Sequence, residues 1–132
     1  MVALHKSNKN EKPLTEVELE LMNVIWDLGE CTVKDVQEAL PAERNLAYTS
    51  VATIMKILEQ KKIVKSLKKE KAHIFSSLVS RNDYEVVSLR HLTENVFKGN
   101  PTSMVMRLLQ ESDLSEEELK SIKQILNEKL KS

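Results

Sequence analysis

The apolar positions of this chain fall into helical stripes, interrupted once by a stretch of a different period. Leu21, Met22, Ile25, Trp26 and Leu28 recur at helical spacing and predict a first helix. Thr15 and Glu18 form a T-x-x-E capping pattern at its start, Leu14 and Leu19 flank it as a hydrophobic staple, and Gly29 marks its end. Thr32 and Asp35 repeat the capping pattern ahead of Val33, Val36 and Leu40, which line a short second helix that Pro41 follows. A loop then leads into LAYTSVATIMKILEQKKIVK, residues 46–65. There Val51, Ile54, Met55 and Leu58 take one face of a third helix, while Tyr48, Thr49, Ala52, Thr53, Lys56 and Gln60 take the other. Ile63 to Lys68 and Ala72 to Leu78 are rich in β-formers and are separated by the charged turn Lys69-Glu70-Lys71, which predicts a hairpin.

From Ser80 onward only helical patterns follow. Ser80 with Asp83 starts a helix running to Phe97, with Gly99 as its stop. Asn100-Pro101 opens the next, whose apolar positions are Met104, Val105, Leu108 and Leu109. Ser115 with Glu118 opens the last, stapled by Leu114 and Leu119 and apolar at Leu119, Ile122, Ile125, Leu126 and Leu130. These three short helices carry more apolar stripe than they can bury among themselves, and a second copy of the chain is the natural cover. The expected dimer contacts are Val96, Met104, Val105, Leu108, Leu109, Leu119, Ile122, Ile125, Leu126 and Leu130. The expected organisation is a disordered arm over 1–13, a first domain over 14–79 and a helical dimerisation domain over 80–132.

Composition agrees with a mostly helical protein: 41% of residues are hydrophobic, 4% are aromatic, and there are two Gly. No apolar run approaches the roughly 20 residues of a membrane span and no secretory leader pattern is present, so a cytoplasmic protein is expected. A lone Cys31 excludes an intrachain disulfide and reads as a small buried thiol. His5, His73 and His91 share no metal-ligand spacing with one another or with Cys31, so no metal is expected. Without a glycine-rich phosphate loop or a recognisable nucleophile–base constellation, neither a cofactor nor enzymatic activity is expected.

Charge changes the picture more than composition does. Twenty basic and twenty acidic residues cancel in total, yet residues 44–79 hold eight Lys/Arg against two acids, and residues 111–118 hold five acids and no base. A neutral chain therefore carries a basic surface and an acidic one. Three helices and a basic-tipped hairpin make the layout of a winged helix-turn-helix. In that layout the third helix enters a major groove, and Tyr48, Thr49, Ser50, Ala52, Thr53 and Lys56 are candidate base-reading residues, short or polar enough for close approach. Lys61, Lys62, Lys65, Lys68, Lys69 and Lys71 are candidate phosphate contacts, which add affinity but no sequence information. The competing reading is a winged-helix protein-interaction module whose third helix docks onto another protein.

The segments LTEVELELMNVIWDLGECTVKDVQEAL, YTSVATIMKILEQKKIVK and AHIFSSLVSRNDY resemble the penicillinase-repressor (BlaI/MecI) family of bacterial transcription repressors, from Leu14 nearly to the C-terminus. The most specific matches are the segment Glu16 to Trp26 and the recognition-helix start Thr49 to Ile54. The resemblance implies a winged-helix domain, a helical dimerisation domain and a dyad operator as double-stranded DNA partner. By position it implies DNA contacts at Thr49, Ser50, Ala52 and Thr53, with Ala52 departing from the Lys or Arg often found there. It also implies a membrane-sensor-linked protease as partner, as in the antibiotic-responsive members, which are cut between an Asn and an apolar aromatic. Arg107 and Leu108 stand at that bond here. The paired C-x-C motifs of copper-responsive relatives are missing from this chain.

Overall fold

A computed structural model describes residues 13–131. The arm expected over 1–13 lies, but for Pro13, outside the described residues, as does His5. The chain is mostly helical with one antiparallel hairpin, and it divides into two compact units between Leu89 and Arg90.

In the first unit, α1 (Glu16–Leu28), α2 (Val33–Ala39) and α3 (Tyr48–Gln60) precede the hairpin β1 (Val64–Lys69) and β2 (Ala72–Ser77). Both expected capping boxes form. Thr15 Oγ1 accepts from the Glu18 N–H at 3.2 Å and Glu18 Oε1 accepts from the Thr15 N–H at 2.9 Å. Thr32 and Asp35 exchange the same pair of bonds at 3.1 and 2.9 Å. The stripes then meet: Leu21, Met22, Ile25, Val36, Val51, Met55 and Leu58 are fully buried together. Leu28, expected in that stripe, is instead exposed, because it sits in the last turn where Gly29 turns the chain away at φ 82°.

The hairpin pairs Val64 with Ser77 and Lys69 with Ala72, so Val64, Ser66 and Phe75 share one face and Lys65, Leu67, Lys69 and Ile74 the other. Val64 and Phe75 close the core, while Leu67 on the opposite face is exposed. Cys31 extends the sheet by a single bridge: its N–H donates to Phe75 O at 3.0 Å and its carbonyl accepts from the Phe75 N–H at 2.7 Å. The thiol is buried, and burial, with the nearby Asp35 charge, pushes it up to about 11.

Helix α4 (Arg81–Asn95) begins in the first unit, with Ser80 Oγ accepting from the Asp83 N–H at 3.0 Å, and continues past the division. It ends two residues short of the expected Phe97, since Lys98 and Gly99 both turn to positive φ. The second unit then contains α5 (Pro101–Glu111) and α6 (Glu116–Lys131). Asn100 caps α5 by accepting from the Ser103 N–H at 3.2 Å, and Ser115 with Glu118 caps α6 through bonds of 3.1 and 2.8 Å. Met104 is the buried apolar residue here, its Sδ accepting from Thr93 Oγ1 at 3.5 Å. Val96, Val105, Leu108, Leu109, Leu119, Ile125, Leu126 and Leu130 are exposed, and Ile122 is half-buried.

Candidate nucleic-acid interface

The orientation of α3 follows from its two faces. Val51, Met55 and Leu58 are locked into the core, which turns Thr49, Ser50, Thr53 and Lys56 outward, with Tyr48 also exposed and Ala52 half-buried. The six residues expected to read bases therefore lie together along one helix, five of them open to solvent. Thr53 is already partly committed, because its hydroxyl donates to Thr49 O at 2.8 Å. Its lone pairs and methyl group remain to face outward, so it suits a base-edge donor or a thymine methyl better than an acceptor.

Both ends of α3 are tied to α1. Just ahead of it, Arg44 Nε lies 2.8 Å from Glu20 Oε2, and Gln37 Nε2 donates to Leu46 O at 3.1 Å. Just after it, Lys61 Nζ reaches both carboxylate oxygens of Glu18 at 2.9 Å. Two acids of α1, Glu20 and Glu18, thus hold the loop that enters the helix and the residue that leaves it. Burial pushes the Glu18 carboxyl up, but the Thr15 backbone N–H and the Lys61 ammonium outweigh it, so the group rests below the ordinary carboxylate value. Nothing in the sequence pairs residues 43 positions apart, and Glu18 reads there only as a capping residue.

The start of α3 differs from those of α1 and α2. Ala47 stands at the N-cap and supplies no side-chain hydrogen bond, whereas Thr15 and Thr32 cap α1 and α2. The first-turn N–H groups of a helix have no acceptor within the helix, and the dipole makes that end attractive to anions. An uncapped, exposed helix start suits a phosphate oxygen.

The wing lysines do not form one patch. Lys65 and Lys69 share the outer face, Lys68 lies on the other beside His73, and Lys71 is in the turn. All four are exposed, as is Lys62, whose φ of 63° carries the chain from α3 into β1. Glu70 occupies the wing tip at φ 56° among these cations. Lys61 stands apart from them because its charge is matched by Glu18.

In the second unit, Arg107 and Leu108 lie inside α5, exposed, with Arg107 Nη1 3.9 Å from Glu111 Oε2. Among the described residues, no helix is long and apolar enough to cross a membrane.

Comparison with known proteins adds the following. The sequence profile of a family described as "Penicillinase repressor" matches residues 14–128. The "Methicillin resistance regulatory protein MecI" of Mammaliicoccus sciuri is 26% identical over 116 residues, covering 88% of this chain and 94% of that protein. The "Penicillinase repressor" of Bacillus licheniformis is 25% identical over 115 residues, covering 87% and 90%. Among solved structures, one titled "CopR Repressor Structure" matches 51% of this chain and 97% of its own at 27% identity and a TM-score of 0.45.

Proposed function

The chain belongs to the penicillinase repressor family, whose members are transcriptional repressors rather than enzymes, and on that premise we propose that it binds a dyad operator as a homodimer. In this reading α3 enters the major groove and presents Tyr48, Thr49, Ser50, Ala52, Thr53 and Lys56 to base edges and adjacent phosphates. Lys62, Lys65, Lys68, Lys69 and Lys71 contact flanking phosphates and make affinity salt-dependent. The observation that carries the proposal is the two-faced construction of α3. One side is wholly buried, while the other is open, short-chained, polar and uncapped at the end where a phosphate would sit.

The dimer is supported by the second unit, where nine large apolar side chains from Val96 to Leu130 remain exposed among the described residues. Surface of that kind on α5 and α6 calls for a partner, and a second copy closes it with the symmetry of a dyad site. Each reading head alone binds weakly, and tethering the two raises the effective concentration of the second contact. Separating the C-terminal helices would then release DNA without altering α3. A cut at Arg107–Leu108 by a sensor-linked protease is one such route, and in α5 it requires the helix to open locally first.

Replacing Ile125 with Glu tests the dimer. Sedimentation should show a monomer, DNA affinity should fall at least about tenfold, and the first unit should keep its thermal transition. A monomeric variant that binds DNA as tightly as the parent would contradict the proposal.

A further inference from the structure

We propose that Glu70, at the tip of the wing, is a specificity-determining residue whose carboxylate makes the repressor reject sites flanked by a narrow, A·T-rich minor groove. The inference rests on the DNA-binding reading above, and every residue it uses belongs to the first unit.

Glu70 stands apart from the other acids around α3. Glu18 is engaged by Lys61, Glu20 by Arg44, and Glu59 Oε2 accepts from Ser66 Oγ at 2.6 Å. Among the described residues, no hydrogen bond or ion pair engages the Glu70 carboxylate, although Lys68, Lys69 and Lys71 flank it in sequence and are exposed as it is. Its backbone is unfavourable as well. Lys69 pairs with Ala72, so Glu70 and Lys71 form a two-residue turn, and Glu70 holds φ at 56°, a conformation that glycine adopts at lower cost. An acid kept at a strained, solvent-facing position beside three cations neither stabilises the fold nor adds to phosphate attraction. A role in choosing between duplexes accounts for both.

The wing makes that choice from a fixed root. The Ile63 N–H donates to Leu58 O at 3.0 Å, and Ile63, Val64 and Phe75 are buried in the same core as Val51, Met55 and Leu58 of α3. The Ser66 bond to Glu59 ties β1 to α3 once more. From that root, strands of six residues give a hairpin about 20 Å long at about 3.3 Å per residue. With α3 in a major groove and Lys65 on the phosphates that border it, the tip extends past that phosphate strand, where the duplex presents its minor groove. A·T runs narrow this groove and deepen its negative potential, which repels a carboxylate. A G·C pair instead places the guanine amino group there, the donor of the minor-groove edge, and a carboxylate oxygen accepts from it. Lys69 and Lys71, on either side of Glu70, stay available to the phosphates that line the groove.

The test reads sequence preference rather than affinity alone. Full-length parent, Glu70→Gln, Glu70→Gly and Glu70→Asp each select from a library of randomised duplexes long enough to hold two half-sites, and the bound sequences are counted. The parent should enrich an inverted repeat whose flanks hold at least about threefold fewer A·T runs than the library does. Glu70→Gln keeps the length of the side chain and drops its charge, and it should enrich the same repeat with that depletion abolished. Glu70→Gly should behave likewise and unfold at no lower a temperature than the parent, because glycine suits the positive φ. Glu70→Asp keeps the charge and should keep the depletion.

Parental flanks in Glu70→Gln and Glu70→Gly, or a parent whose flanks are as rich in A·T runs as the library, overturn the proposal and leave the DNA-binding reading intact. Depletion lost in Glu70→Asp as well, or a lower thermal transition in Glu70→Gly, would assign Glu70 to the shape of the turn and also overturn it. An absence of any enriched repeat with all four proteins overturns the DNA-binding reading itself and the role of Glu70 with it.

Discussion

On the proposed reading, folding and binding would compete at Ala47 for the same backbone groups. A side-chain oxygen at this N-cap would satisfy a first-turn N–H of α3, as Thr15 and Thr32 do for their helices. Ala47→Asp should therefore stabilise the protein by about 1 kcal/mol in thermal or urea unfolding and, at the same time, weaken binding to duplex DNA by blocking and repelling a phosphate. A more stable variant with unchanged DNA affinity would remove the start of α3 from the interface. Lys61 has the opposite character, since its partner is inside the protein. Lys61→Met leaves the buried Glu18 carboxylate without its cation and should cost about 1–2 kcal/mol at neutral pH, the lower end applying because the ammonium is partly exposed. The folded Glu18 carboxyl binds its proton less tightly than the unfolded one, so its stabilisation is complete above the ordinary value of 4.5 and is lost as pH falls through the lower folded value. Urea titrations of parent and variant across that range should converge in acid. A gap that persists at low pH would show that Lys61 acts through its aliphatic stem.

Among the elements, the wing makes the sharpest separable prediction. Lys68 and Lys69 point to opposite faces of β1, and a duplex edge-on to the hairpin would meet both near the tip. Replacing both with Ala should lower affinity about equally for all sequences and flatten the slope of log affinity against log salt by about one unit per lost phosphate contact. An unchanged slope would take the wing out of the interface. The wing also shows why some elements were legible from sequence and others only in part. Thr15 with Glu18, Thr32 with Asp35 and Ser115 with Glu118 lie three residues apart, so their capping geometry is a local property and all three boxes form. The hairpin alternation was obscured because Leu67 is apolar yet faces outward, and because Ile63 is buried ahead of β1, its carbonyl accepting from the Leu78 N–H at 2.8 Å. The ties that orient α3 and α4 were not legible at all. Glu20 with Arg44, Glu18 with Lys61 and Trp26 with Arg81 become neighbours only when the helices pack, and hydrophobic periodicity carries no information about which charges then meet.

For the whole molecule, the balance of twenty cations and twenty anions conceals local runs of opposite sign. The basic residues of 44–79 lie in the unit that contains α3 and the wing, and the acidic run of 111–118 lies in the unit with the exposed apolar helices. On the proposed reading the basic stretch draws duplex DNA to its own face, and the exposed apolar helices pair with a second copy. The central claim is that this pairing and the open face of α3 together read a specific two-fold site. Purified full-length protein should be allowed to select fragments from sheared genomic DNA, with bound fragments sequenced and retested across a salt series. The account predicts a recurring inverted repeat, bound at least about a thousandfold more tightly than random duplex at physiological salt. Binding without sequence preference that disappears as salt rises, or no binding, would contradict it and favour docking of α3 onto another protein.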